Sequence, residues 1–180
     1  MKTCEICSSE IATELIAAYE VPSMGIPVTI YNSARQNKCA CDEEIIIPDM
    51  EGLIAAAAVS RVLMPAKLAA ADIVFLRKAL ETSSKDLAAQ LEVTPETVSR
   101  WENGKIPIGP GSEKLLRLAV GVRLSEKAPG IVFKVEEVIE MRIHSVRGLC
   151  DDTPIMLTRA LVVNSTHGIK QEKYTEKLAA

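Results

Sequence analysis

The stretch from Ser83 to Gly104 leaves little freedom in how this part of the chain folds. Ser83 can cap a helix, and Asp86, three residues on, completes a capping box. Leu87, Ala88 and Leu91 then make one apolar face. After a turn through Glu92 and Val93, Thr94 supplies a second cap. Pro95 follows in the first helical position, where a missing N–H costs nothing. Val98 and Trp101 lie three apart and turn inward, which leaves Glu96, Thr97, Arg100 and Asn103 on the outer face. The pattern predicts two short helices joined by a tight turn, the second one closed by Gly104 and free at its amino end.

That outer face has a definite chemistry. Arg100 can hold guanine O6 and N7 through two parallel hydrogen bonds, worth about 1 to 3 kcal/mol of discrimination. Thr97 can touch a thymine methyl or a phosphate, and Glu96 can accept from a cytosine amine. Ser84, at the amino end of the first of these helices, and Lys105, after Gly104, are placed for backbone phosphates. Trp101 is expected in the core, and Glu102 is expected to cap or bridge within the domain.

Further apolar stripes flank the pair: Ile73, Leu76 and Leu80 before it, and Leu115, Leu116, Ala119 and Val120 after it. Four short amphipathic helices over residues 68–124 predict a compact all-α unit. Between Arg77 and Lys127 nine Lys and Arg face seven Asp and Glu, and the whole chain carries a net charge of −3. A nonspecific nucleic-acid binder is therefore not expected. A specific one would lean on base contacts and dimerisation.

Residues 1–48 have another character. Cys4 pairs with Cys7, and Cys39 with Cys41, on either side of two β-prone runs, Leu15–Val21 and Ile26–Tyr31. Residues Val21 to Gly25 supply hairpin turn chemistry. So short a segment lacks a core of its own, which makes a metal staple physically reasonable. Zinc takes about four soft ligands in a tetrahedron, and the spacing of Cys4 and Cys7 offers two thiolates on one turn. Cys39 and Cys41, one residue apart, are an unusual second pair. The alternative is a hairpin of reduced thiols, with Asp42 or a water in a ligand place or no metal at all.

Pro48 and Asp49 open an Ala-rich helix, Glu51–Met64, stopped by Pro65, so residues 49–67 read as a connector. Its apolar positions run nearly all round, which implies burial against a neighbouring domain or a second subunit. Beyond Ser125 the pattern weakens: residues 131–143 fit helix or strand, Ile155–Val163 resembles a strand, and the residues from Asn164 read as a short helix or loose tail. Residues 125–180 therefore form an extension of mixed structure, extending a dimer interface or adding strands to the amino-terminal unit. The fold class is α+β.

The longest apolar run, Leu53–Val59, falls far below the roughly 20 residues of a membrane span, and no signal-like segment opens the chain, which predicts a cytoplasmic protein with no membrane partner. His144 and His167 stand alone, Asp151 and Asp152 read as a turn, and Cys150 as an ordinary thiol. The Gly109–Gly111 turn lacks the residues of a phosphate loop. Clustered acid, base and nucleophile are missing, so no enzyme is expected.

Leu87, Ala88, Val93, Thr94, the run from Thr97 to Glu102, and Gly104 together resemble the Xre or phage-repressor helix-turn-helix family over about fifty residues. With the two Cys pairs, the connector, and Phe75–Leu80 leading into that motif, residues 1–123 resemble the MqsA or YgiT antitoxin family. The resemblance implies zinc bound by Cys4, Cys7, Cys39 and Cys41, an amino-terminal unit that holds a toxin protein, and a homodimer that represses its own promoter. It also makes Arg100 the base-reading arginine. Glu96 stands where the family often has asparagine, so no operator sequence carries over. The resulting expectation is a repressor on double-stranded DNA, reading a near-palindromic operator with half-sites about one helical turn apart. The alternative is a zinc-dependent interaction module for which DNA is secondary.

Overall fold

In the computed structural model the described residues are 3–144, 153–163 and 170–177. Cys150, Asp151, Asp152 and His167 lie outside them.

The chain begins in two small sheets. β1 (Ala12–Leu15), β4 (Arg35–Lys38) and β5 (Glu43–Ile46) form an antiparallel sheet in the order β1-β4-β5. All four residues of β1 are exposed, so this sheet has almost no apolar interior to hold it together. At Ile16 and Ala17 the chain passes into a second sheet. There β2 (Ala18–Glu20) runs antiparallel to β3 (Val28–Tyr31) across a short turn, Pro22–Met24, and makes the expected hairpin. Val28 and Ile30 alternate inward and are buried.

The carboxy-terminal residues complete this second sheet. β6 (Ile155–Val163) lies parallel to β3, with Val28 opposite Ile155, and β7 (Lys170–Glu176) runs antiparallel to β6. Of the two roles left open for residues 125–180, strand addition to the amino-terminal unit is the one seen. Residues 170–176 form a strand where a short helix or loose tail was expected. Their polar composition hides one buried anchor, Tyr174, whose hydroxyl donates to the Pro48 carbonyl at 2.7 Å.

Helix α1 (Met50–Leu63) is the centre of the fold. Asp49 caps it by accepting from the Gly52 N–H at 3.1 Å, and it ends where Met64 turns extended before Pro65. Leu53, Ala55 to Val59 and Val62 are all buried, because α1 touches β6 and β7 as well as α2 (Ala70–Ala79), α5 (Pro110–Leu124) and α6 (Val135–Glu140). The all-round apolar surface of α1 is thus covered by its own chain.

Helices α2, α3 (Ser84–Gln90), α4 (Pro95–Glu102) and α5 enclose Ile73, Leu76, Leu87, Val98, Trp101 and Leu116. The buried face of α5 differs from the predicted stripe. Leu115 is 52% exposed, and the inward positions are Glu113, Leu116, Arg117, Val120, Gly121 and Leu124. Two charged residues hold core positions, which rotates the helix away from its simple apolar reading. At Gly121 the Phe133 ring packs so close that a Cβ would sit 2.0 Å from it.

Candidate nucleic-acid interface and metal centre

Local capping sets the direction of α4. Thr94 Oγ1 accepts from the Thr97 N–H at 3.2 Å, and Pro95 occupies the first turn. Val98 and Trp101 are buried behind the helix, while Glu96, Ser99, Arg100 and Asn103 are exposed and Thr97 is half-buried. Gly104, at φ +66°, closes the helix in the left-handed conformation that suits glycine, and Lys105 after it is exposed. Arg100 has no ion pair among the described residues, so its guanidinium is available to a ligand. The Glu96 carboxyl is held below its usual range by its own backbone N–H, then by the Thr94 hydroxyl, with a smaller contribution from the Arg100 charge.

Glu102 fastens the three helices together. Arg77 Nε on α2 donates to its Oε1 at 2.5 Å, and Ser84 Oγ on α3 donates to its Oε2 at 3.2 Å. The Ser84 hydroxyl therefore faces α4, which leaves the backbone N–H groups at the start of α3 as its means of meeting an anion. Asn103 Nδ2 folds back on the Ser99 carbonyl at 2.7 Å. Ser99 was overlooked by spacing alone, although it shares the exposed side of α4 with Glu96 and Arg100.

In the amino-terminal residues the four cysteines converge. Cys4 and Cys7 sit on a tight turn in which the Cys4 N–H donates to the Ser9 carbonyl and the Ser8 N–H to the Cys4 carbonyl, both at 2.9 Å. Cys39 and Cys41 lie on the turn between β4 and β5, where the Cys39 N–H donates to the Asp42 carbonyl at 3.0 Å. All four Sγ atoms lie within 4.8 Å of one another, with Cys39 and Cys41 at 3.4 Å and Cys4 and Cys41 at 3.6 Å. A zinc tetrathiolate with bonds of about 2.3 Å has sulfur–sulfur edges of about 3.8 Å, so the cluster is compatible with one metal ion. The single-residue spacing of the second pair is accommodated because both thiols project from the same turn. Asp42 is not part of the cluster; its Oδ1 accepts from the Glu43 N–H at 2.8 Å.

Ser9 is a member of this site that spacing did not reveal. Its hydroxyl meets Cys7 Sγ at 2.9 Å and accepts from the Ala40 N–H at 3.2 Å, which ties the first Cys turn to the second. The Ser9 hydroxyl and backbone draw the Cys7 thiol down to about 6, whereas contacts with Cys39, Cys7 and Cys4 push Cys41 up. Thiols crowded this closely share their protons unevenly, and a divalent cation relieves that crowding by displacing them.

Residues 75–126, from the second half of α2 to just past the end of α5, match a family of helix-turn-helix domains. Neither a curated protein nor a solved structure matches the chain. The helix-turn-helix match supports a DNA-binding regulator. Among the described residues no helix is long and apolar enough to cross a membrane.

Proposed function

We propose that this chain is a sequence-specific repressor that binds double-stranded DNA as a homodimer and carries a structural Zn2+ on Cys4, Cys7, Cys39 and Cys41. The observation that carries the reading is Arg100: an exposed guanidinium on a helix whose opposite side, Val98 and Trp101, is buried. In this reading Arg100 grips guanine, Thr97 and Glu96 meet neighbouring bases, and Asn103 borders the same face. Lys105 and the amide at Ser84 hold the phosphates on either side.

The dimer is supported by α5. Leu115, Leu118, Ala119 and Val122 recur at helical spacing, and Leu115 and Val122 are 52% and 61% exposed. An exposed apolar stripe on the helix that follows the DNA-binding helices suits a two-fold axis, which a near-palindromic operator requires.

We further propose that the repressor is the antitoxin of a type II toxin–antitoxin pair, with the toxin held by the amino-terminal unit. Ile6 and Leu15 stand 85% and 60% exposed there, beside the acidic Glu5, Glu10 and Glu14. That surface suits a basic partner with apolar pockets. The same observation favours the second reading, an interaction module for which DNA binding is secondary.

Selection from a random DNA pool separates the two. The wild-type protein is expected to enrich a near-palindromic site, and Arg100→Ala to lose it by about ten- to a hundredfold while keeping metal and fold. Enrichment of no sequence by the wild-type protein would reject the repressor reading and leave the interaction module.

A further inference from the structure

The turn of the β2–β3 hairpin does not close flush on the helices behind it. Between that turn, α1 and α2 lies a cavity of about 360 Å3, lined among others by Ser23, Met24, Ile54, Val74, Phe75 and Lys78. Its volume lies in the range of small-molecule sites, about 300 to 1,000 Å3. Most of the wall is apolar, and Met24 and Phe75 within it are buried.

Charge on this wall is one-sided. Among the described residues Lys78 is the only charged one in the lining, and it makes no ion pair with any of them. Ile54 and Lys78 also line an adjoining depression that holds Glu51 and Glu81, where Glu51 is matched by Lys127 at 2.6 Å. The cavity therefore offers a hydrocarbon surface, one unclaimed ammonium and the Ser23 hydroxyl. A neutral apolar ligand would leave that ammonium unused, and a cationic one would be repelled by it.

We propose that this cavity binds a small apolar monocarboxylate, of which a medium-chain fatty acid is the simplest form. The hydrocarbon lies against Met24, Ile54, Val74 and Phe75, and the carboxylate pairs with Lys78. Ligand bound here would bear on α2, the helix whose Arg77 holds Glu102 of α4. An effect on operator affinity rests on the DNA-binding reading; the binding itself does not.

Octanoate, titrated into the metal-loaded full-length protein at neutral pH and followed by amide chemical shifts, tests the proposal without any DNA. Saturable one-to-one binding is expected below the micellar concentration, with shifts concentrated at residues 23–25 and 71–79. Octan-1-ol and octylammonium are expected to bind more weakly. Lys78→Gln, a change at an exposed position, should weaken octanoate about three- to tenfold and leave octan-1-ol unchanged. Ala71→Trp, which fills the cavity from its rim, should abolish binding of both. Absence of saturable octanoate binding, equal binding of octan-1-ol, or octanoate affinity indifferent to Lys78→Gln would each overturn the proposal.

Discussion

Glu113 and Arg117, one turn apart on α5, are both fully buried and joined by a 2.9 Å charge-assisted bond. Glu113 also accepts from Lys67 Nζ at 2.8 Å and from the Leu68 N–H at 2.9 Å. Arg117 donates to the carbonyls of Val62, Met64 and Ala66, which follow or end α1. The pair thus binds the segment after α1 to the helix-turn-helix unit. Removing Glu113 leaves the Arg117 charge buried without a counter-charge, at a cost of about 3 to 5 kcal/mol, whereas removing Arg117 leaves Glu113 still paired with Lys67 and costs less. Glu113→Gln is expected to lower the urea midpoint sharply with little change in slope, and Arg117→Met to lower it by a smaller amount. A loss below about 1 kcal/mol in Glu113→Gln would mean that water replaces the missing partner.

The turn between α3 and α4 carries a removable strain. Glu92 adopts φ +52°, a left-handed conformation that costs an ordinary residue about 1 to 2 kcal/mol. Its side chain is exposed, and the two backbone bonds that this conformation allows, Glu92 N–H to the Ala89 carbonyl at 3.3 Å and Val93 N–H to the Ala88 carbonyl at 3.0 Å, would be kept by glycine. Glu92→Gly is therefore expected to stabilise the helix-turn-helix unit by about 0.5 to 1 kcal/mol, after the larger entropy of the unfolded glycine chain is offset. Thermal melting of the two proteins side by side measures this. A lower melting temperature for the glycine variant would contradict it.

Tyr174 links stability to alkaline pH. Burial raises its phenol to about 12, while in the unfolded chain it ionises near 10. Above pH 10 the unfolded state gives up this proton and the folded state keeps it, so rising pH favours unfolding until the folded phenol titrates as well. The stabilisation is complete below pH 10 and is lost on the way to 12. Tyr174→Phe lacks this group and also the bond to Pro48. It is expected to be less stable than wild type by about 1 to 2 kcal/mol at neutral pH. Between pH 10 and 11 the gap should narrow by roughly 1 kcal/mol. A gap unchanged by pH would show that the phenol titrates alike in both states.

How much of this could be read from the sequence depended on how local the causes are. The inner and outer faces of α4 were legible because Thr94, Pro95, Val98 and Trp101 act within a few residues of one another. β6 was legible because Ile155–Val163 is a continuous β-prone run. The parallel pairing of β3 with β6 was not, since it joins Val28 to Ile155 across most of the chain and no turn sets its register. β7 escaped notice because one tyrosine is its core contact among polar neighbours. On α5 the apolar stripe was placed on Leu115, Leu116, Ala119 and Val120, and the burial of Glu113 and Arg117 was not legible because their partners, Lys67 and the carbonyls from Val62 to Ala66, lie some fifty residues away. The convergence of the four thiols was expected from the two Cys pairs and the family resemblance, but the part of Ser9 in joining the two turns needed coordinates.

The proposed metal centre should matter unequally along the chain. The sheet of β1, β4 and β5 is held by backbone pairing and a few side-chain bonds, such as Thr13 Oγ1 to Asn37 Oδ1 at 2.8 Å, and has little buried apolar surface. Leu76, Leu87, Val98 and Trp101 of the helix-turn-helix unit belong instead to the hydrophobic core that runs through α1 and the second sheet. Stripping the metal with a chelator is therefore expected to abolish amide protection at residues 12–15, 35–38 and 43–46 while sparing α2 to α5. Cys4→Ser should lower the metal content from one ion per chain and reproduce that pattern, because three thiolates bind more weakly than four. Elemental analysis with hydrogen exchange on the same samples tests both expectations. Full metal content and unchanged protection in Cys4→Ser would remove Cys4 from the ligand set, and simultaneous loss of protection in α2 to α5 would show that the two units fold as one.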